Sequence, residues 1–403
     1  MPTGHGGGRP GPLEWLDAAL ADLRSRDLHR SLRHHASAAD PWIDLVDPDD
    51  PAATPRRVLH LCSNGYLGLA SHPAVVAAAT EAAERFGTSS GASRLVTGGQ
   101  SLHRALERDL AGWKGTEDAV LTSSGYLANL AVVTALVGRG DTIVSDELNH
   151  ASIVDACRLS GAEVRVYRHA DAEHARTLLT DAPGRRLLVT DGVFSMDGDL
   201  APLPALCDAA EEHGAAVVVD DAHGTGVVGP DGRGTAAALG CEERVHAVVG
   251  TLSKALASVG GFVAGSAALV DWLRNRARPV VFDTALPAPA VAAARAALRV
   301  ARSEPERRTR VLHHAERLAT ALRTGGHQVP ASAAAIVPVV VGENAPALAA
   351  MAALLRRDVL AVAIRPPSVA PGTARLRATV MATHTDADID LAIEAFTHAL
   401  EPV

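Results

Sequence analysis

Lysine is almost absent from this chain. Only two lysines, Lys114 and Lys254, occur among the 38 basic residues of the 403-residue sequence, and arginine supplies the others. Aromatic residues contribute only 3%, so we expect a core built from alanine, valine and leucine. No apolar run approaches the roughly 18 residues of a membrane span. The net charge of −8 and the lack of basic clusters argue against nucleic acid as a partner.

Cysteine is also scarce. The four cysteines are widely separated and form neither a CxxC pair nor a disulfide framework, so we expect reduced thiols in a cytoplasmic protein. Residues 1–8 lack the apolar segment of a signal peptide, and their composition predicts an unstructured lead-in.

Short apolar runs alternate with alanine-rich stretches from about residue 58 onward. Continuous aliphatic strands separated by helices are typical of an α/β fold whose mostly parallel sheet is covered on both faces. The pattern predicts strands at 58–62, 118–121, 142–144, 163–167, 186–190, 215–220, 246–250 and 261–264, and intervening helices at 73–86, 102–113, 126–137 and 203–213.

The ends of the chain differ from its middle in residue composition and in the spacing of apolar residues. Leucine spacing predicts a helix over 12–40, and an Asp/Pro-rich composition predicts a loop over 41–57. We therefore expect an N-terminal arm at 1–57, a large domain at 58–285 and a smaller α+β domain at 286–403.

The scarcity of lysine makes Lys254 conspicuous, because a lysine amine can lose its proton and form a Schiff base whereas arginine cannot. Lys254 ends the segment VVGTLSK, and Asp220 and His223 lie at another strand end. An amine, an acid and a histidine at neighbouring strand ends suggest a pyridoxal phosphate site. Lys114, in the segment GWKG, is expected to be a solvated lysine near a helix end.

Several residues have a possible role at such a site. Asp220 is placed to keep the pyridine nitrogen protonated, which makes the ring an electron sink. His223 is able to bond the phenolic oxygen, and His150 to stack on the ring. In isolation, Asp220 and Asp221 would be strand caps, and the two histidines would be ordinary loop or core residues.

Two segments are candidates for binding phosphate. The segment SSGYLAN at 123–129 follows a strand and opens a helix, where free N–H groups attract anions, and Thr251 and Ser253 add hydroxyls. The run GTGVVG at 224–229 matches a dinucleotide fingerprint, but Pro230 and Gly232 stand where that fingerprint requires a helix. We interpret this run as a tight loop beneath the cofactor.

Together these segments resemble the α-oxoamine synthases, which are pyridoxal phosphate enzymes of the aspartate-aminotransferase-like fold (fold type I). The resemblance implies a large domain with a mostly parallel seven-stranded sheet and a smaller C-terminal α+β domain. The segments that carry it are NGYLGL at 64–69, GTSSGASRLVTG at 87–98, DGVFSMDGD at 191–199, VDDAHGTG at 219–226 and TLSK at 251–254.

The resemblance also assigns roles. It implies that Lys254 holds the cofactor covalently and that Asp220, His223 and His150 contact its ring. Further cofactor contacts are implied at Gly125, Tyr126, Ser195, Thr251 and, from the second subunit of a homodimer, Thr284. Substrate contacts are implied at Arg377, which would grip the amino-acid carboxylate, at its alternative Arg375, and at Asn64 and Arg94.

The segment AIRPPSVAPGTARLR at 363–377 most resembles family members that condense L-alanine with a pimeloyl thioester. The acyl carrier, coenzyme A or acyl carrier protein, stays open. So do a glycine- or serine-using relative with a different acyl group, a non-catalytic protein that binds pyridoxal phosphate, and a nucleotide-dependent oxidoreductase.

Overall fold

The computed structural model describes residues 11–50 and 52–401, so the predicted lead-in at residues 1–8 lies outside the described residues. No helix in the described residues is both long enough and apolar enough to cross a membrane.

The strands of the described residues are β1 (His34–His35), β2 (Trp42–Val46), β3 (Arg56–His60), β4 (Asp118–Thr122), β5 (Thr142–Asp146), β6 (Glu163–Tyr167), β7 (Arg186–Asp191), β8 (Ala215–Asp220), β9 (Ala247–Thr251), β10 (Gly261–Gly265), β11 (Ile336–Gly342), β12 (Val359–Leu360), β13 (Val362–Ile364) and β14 (Ala374–Thr379). The helices are α1 (Trp15–Ser25), α2 (Pro73–Phe86), α3 (Ser101–Lys114), α4 (Gly125–Leu136), α5 (Ala151–Ser160), α6 (Ala172–Leu179), α7 (Leu203–Glu212), α8 (Thr235–Ala238), α9 (Ala267–Arg276), α10 (Arg278–Val281), α11 (Ala288–Ser303), α12 (Glu306–Thr324), α13 (Asn344–Arg356) and α14 (Asp386–Ala399).

The largest sheet has seven strands in the order β4-β10-β9-β8-β7-β5-β6. The pairs from β9 to β6 are parallel, whereas β10 runs antiparallel to both of its neighbours. Strands β4, β5, β8 and β9 are buried along nearly their whole length, as expected of a sheet covered on both faces. The predicted fold class is confirmed.

The parallel strands place several polar residues at one edge of this sheet. Asp191 ends β7 and pairs in register with Asp220, which ends β8. Thr251 ends the adjacent β9 and pairs with Gly261 at the start of β10. Ligands of open α/β sheets bind beyond the carboxyl ends of the strands, so this edge is where a site is expected.

The N-terminal region differs from the prediction. The helix predicted over 12–40 is only α1, because the leucine stripe ends at Leu23 and Asp27 takes a left-handed conformation (φ 55°) just beyond the helix. The predicted loop at 41–57 contains β2, in which Ile43 is buried against β3. Two smaller sheets, β1-β2-β3-β12 and β11-β14-β13, complete the fold.

The strand predicted at 58–62 pairs with β12 from the C-terminal part of the chain and not with the seven-stranded sheet. Helix α11 begins just after residue 285, yet it packs on α2 and α3. The division into three segments at 57 and 285 stays a prediction.

Candidate active site

Lys254 follows β9 and lies in a chain of hydrogen bonds. Its Nζ donates to Nε2 of His223 (2.9 Å), and Nδ1 of His223 lies 2.6 Å from the hydroxyl of Tyr66. Tyr66 in turn donates to Oδ1 of Asn64 (3.2 Å). With Nε2 accepting from lysine, Nδ1 carries the proton and donates to the tyrosine oxygen. Each member of the chain therefore fixes the orientation of the next.

Arg377 on β14 joins the same series of hydrogen bonds at its other end. Its two terminal nitrogens donate to Oδ1 of Asn64 (3.2 and 3.3 Å), and its Nε donates to the carbonyl of Ser195 (2.6 Å). No carboxylate of the described residues forms an ion pair with Arg377, although its side chain is buried. A buried guanidinium without an anionic partner is suited to an anionic ligand.

Asp220 is held by two donors. Its Oδ2 accepts from Nδ2 of Asn129 (2.6 Å), and its Oδ1 accepts from the N–H of Ala222 (2.9 Å). The neighbouring Asp191 is fully enclosed. Burial, reinforced by the charge of Asp220, raises the pKa of Asp191 well above its ordinary value.

His150 caps the N-terminus of α5. Its Nδ1 accepts from the N–H of Ser152 (3.3 Å) and lies 2.8 Å from the Ser152 hydroxyl. Burial, together with the positive charge of Lys254, lowers the pKa of His150, so its imidazole is neutral with its proton on Nε2. Burial likewise lowers the pKa of His223 well below its ordinary value.

The amine of Lys254 is tuned by its surroundings. Burial lowers its pKa to about 8, and the positive charge of Arg377 acts in the same direction, while Asp220 and Asp191 oppose the shift. A neutral amine is the nucleophile and the base, so about a tenth of Lys254 is ready for either role at pH 7.

An anion cradle lies at the start of α4. Ser124 Oγ accepts from the N–H of Leu127 (3.1 Å), which leaves the first N–H groups, those of Gly125 and Tyr126, without an intrahelical partner. A Cβ added at Gly125 would lie 3.2 Å from Cβ of Thr251, so Thr251 adjoins this helix end. The Tyr126 hydroxyl is instead bonded to Asp155.

Three predicted site residues are engaged elsewhere. Arg94 forms an ion pair with the buried Glu107 (2.8 Å). Thr284 is exposed and forms a β-bridge with Ser93, with no hydrogen bond to the Lys254 chain. Arg375, the alternative to Arg377, is buried and paired with Asp197.

The expectation for Lys114 is wrong. Its side chain is only 1% exposed and forms an ion pair with Asp221 (2.8 Å). The C-terminal position on α3 suggested solvent, but the helix end packs on the loop that follows β8.

Sequence reasoning did not single out two residues that belong to the site. Tyr66 lies in the segment NGYLGL and Asn129 in the segment SSGYLAN, and their positions beside His223 and Asp220 follow only from the fold.

Comparison with known proteins identifies this arrangement. The family model for aminotransferase class I and II matches residues 56–396. The chain belongs to the aminotransferase class I and II family. It is 49% identical over 381 residues to an 8-amino-7-oxononanoate synthase of Anaeromyxobacter dehalogenans (94% of each chain) and 48% identical over 380 residues to that of Geobacter sulfurreducens (93% and 95%).

Solved structures of the family agree with this result. Serine palmitoyltransferase of Sphingomonas wittichii superposes with a TM-score of 0.91 at 32% identity, covering 97% of this chain and 98% of the other. The enzyme from S. paucimobilis, solved with bound pyridoxal phosphate and myriocin, gives 0.89 at 32% identity, with 96% and 97% covered. The resemblance to the α-oxoamine synthases is confirmed.

Pyridoxal phosphate is the cofactor of this family member, and the residues present fit it. Lys254 offers a buried amine that forms no ion pair with any carboxylate of the described residues. Gly125 and Tyr126 offer two free N–H groups for a phosphate, and Asp220 offers an acid held by hydrogen bonds.

The lowered pKa of Lys254 predicts how the rate of cofactor uptake depends on pH. Attachment requires the neutral amine, so the rate at which the apoprotein takes up pyridoxal phosphate should rise about tenfold per pH unit below pH 7 and level off near pH 8. Stopped-flow absorbance across pH 6–10 measures it. A rate that continued to rise to about pH 10 would indicate an ordinary lysine.

Proposed function

We propose that the chain catalyses the decarboxylative condensation of L-alanine with a pimeloyl thioester, an acyl transfer that yields 8-amino-7-oxononanoate, CO2 and a free thiol for biotin biosynthesis. The observation that carries this proposal is 48–49% identity to enzymes of that name over 93–94% of the chain. The arrangement around Lys254 and Arg377 supports it, because the reaction needs a base and a carboxylate clamp in one pocket.

Pyridoxal phosphate, when bound, supplies an electron sink for a carbanion at the amino-acid Cα. The protein moves the protons. Lys254 is the base that removes the Cα proton and later returns one, and its pKa of about 8 suits both directions near neutral pH. His223, fixed by Tyr66, orients the Lys254 amine through its Nε2.

Other residues hold the reacting groups. Asp220 would hold a proton on the pyridine nitrogen of the bound cofactor, and His150 would lie against the ring with its Nε2 proton available to the substrate. Gly125, Tyr126, Thr251 and Ser195 complete the cofactor site. Arg377 binds the alanine carboxylate through bidentate hydrogen bonds, and Asn64 already orients its guanidinium.

Replacement of Arg377 by alanine should raise the KM for L-alanine by about 10- to 100-fold with a smaller change in kcat, since hydrogen bonds to a charged group contribute roughly 1.5–3 kcal/mol. Steady-state kinetics with varied alanine measures this. Arg375→Ala is the matched control, because Arg375 lies on the same strand but is neutralised by Asp197. A raised KM in the Arg375 variant alone would transfer the role to that residue.

A product assay tests the activity. Purified protein is offered L-alanine, glycine or L-serine with pimeloyl-coenzyme A or pimeloyl-acyl carrier protein, and products are identified by mass. We expect 8-amino-7-oxononanoate from alanine and at least one thioester. Product from serine or glycine alone would favour another member of the family, and binding of cofactor without any product would favour a non-catalytic role.

We also propose a homodimer in the cytoplasm. Thr284 is exposed and, among the described residues, forms no hydrogen bond to Lys254 or its partners, which fits a phosphate contact given to the opposite active site. The four cysteines are free in the described residues, which fits a reducing compartment. Acyl carrier protein is a possible further partner through the thioester.

A further inference from the structure

Lys114, the second lysine of the chain, lies in a buried hydrogen-bond network beside the loop that follows β8. Lys114 Nζ, at the end of α3, donates to Asp221 Oδ2 (2.8 Å), Thr225 Oγ1 (2.8 Å) and the carbonyl of Arg233 (2.6 Å). An ammonium has three protons, so all of them have acceptors. The side chains of Lys114 and Asp221 are 1% and 2% exposed.

The carboxylate of Asp221 accepts hydrogen bonds from both parts of the loop formed by residues 221–235. Its Oδ1 accepts from the N–H and the hydroxyl of Thr235 (2.9 and 2.7 Å), and its Oδ2 accepts from the hydroxyl of Thr225 (3.1 Å). The same loop carries His223, which contacts Lys254. The ion pair with Lys114 is therefore connected to the catalytic amine through this loop.

Two glycines leave room for the ion pair. A Cβ at Gly224 or at Gly234 would overlap the Asp221 carboxylate, and at Gly234 it would also lie 2.9 Å from Lys114 Nζ. The backbone thus closes directly over the ammonium. Gly224 begins the run GTGVVG, so the need to enclose a carboxylate accounts for a glycine that a dinucleotide fingerprint does not explain.

We propose that Lys114 is a positioning residue for the reaction: its compact ammonium holds the loop 221–235 and thereby sets His223 against Lys254. A planar guanidinium is larger and directs its donors as a fork, so it does not match three acceptors around one point. This requirement explains why a chain that otherwise uses arginine keeps a lysine here. The proposal rests on the proposed function for its turnover measurement only.

The test is the charge-preserving variant Lys114→Arg. We expect kcat to fall by about 10-fold or more, because a small displacement of a catalytic group costs up to about 100-fold. The KM for L-alanine should stay within about twofold, since Arg377 lies on a different element. The pH midpoint of the visible band of the bound cofactor should shift by about half a unit or more, because His223 faces Lys254.

The band titration needs no substrate, so it tests the proposal even if the assumed activity is wrong. Asp141→Asn is the matched control. It breaks the ion pair with Arg185 at the amino end of β5, on the opposite edge of the sheet, and should lower stability while leaving kcat and the titration as in the unmodified protein. The proposal would be overturned if the Lys114→Arg variant lost stability in the same way but kept the kcat and the band titration of the unmodified protein.

A milder variant keeps the test decisive if Lys114→Arg does not fold. Thr225→Val preserves the shape of the side chain and removes the hydroxyl that joins Lys114 to Asp221. It should change kcat and the band titration in the same direction by a smaller amount. Unchanged values for both in folded Thr225→Val protein would likewise reject the positioning role.

Discussion

Replacement of Lys254 by alanine is expected to abolish both turnover and the visible absorbance of the bound cofactor. The variant loses the covalent attachment and the base together, so kcat should fall by at least about 10⁴-fold. Absorbance spectra and product formation measure the two effects on the same sample. In the unmodified protein, borohydride should remove the visible band and fix the cofactor to residue 254.

Lys254→Arg is the informative partner of this variant. It keeps a positive charge near Asp220 and Asp191, which oppose the lowered pKa of Lys254, but it offers no amine that can attack an aldehyde. It should be as inactive as Lys254→Ala. A coloured and active alanine variant would remove Lys254 from the mechanism.

Replacement of Asp220 by asparagine should separate binding from chemistry. The cradle at α4 and the amine of Lys254 remain, so the cofactor should still bind and absorb. The pyridine nitrogen loses its anionic partner, and we expect kcat to fall by about 10²- to 10³-fold, as is usual when a preorganised electrostatic group is removed. Equilibrium titration with pyridoxal phosphate and steady-state kinetics distinguish the two effects.

Asp191→Asn provides the comparison for that experiment. Burial and the charge of Asp220 raise the pKa of Asp191, and an amide keeps the shape of this side chain and an oxygen to accept from the N–H of His150. Its kcat should stay within about tenfold of the unmodified value. A larger loss from Asp191→Asn than from Asp220→Asn would exchange the roles of the two acids.

Most strands of the large sheet were predictable because they are short apolar runs that alternate with helices. Strand β6 was predicted with the bounds that it has, and helix α2 begins at Pro73 and ends at Phe86 as expected. The same reasoning failed at β2, whose short apolar run WIDLV was assigned to a loop because the residues that follow it are rich in Asp and Pro. A run of five residues gives a weak signal by itself, and its pairing with β3 decides the structure.

The candidate site was partly predictable for a similar reason. Lys254, Asp220 and His150 follow buried strands, and strand ends meet at one edge. Arg375 and Arg377 are two residues apart on one strand and share a face, so the sequence did not distinguish them, and the ion pair with Asp197 separates them only in the fold. Lys114 was misjudged because its acceptors lie more than one hundred residues along the chain.

The burial of Lys114 has a practical consequence for chemical labelling. One of the two lysines of the chain is locked in an ion pair, and the other lies in the cofactor pocket, so no lysine side chain is left to decorate the exterior. In the cofactor-free protein, amine-directed reagents should find Lys254 as their single reactive lysine, and bound cofactor should protect it from them. Because no other lysine amine is accessible, the aldehyde of the cofactor does not form side adducts with lysines elsewhere on the protein.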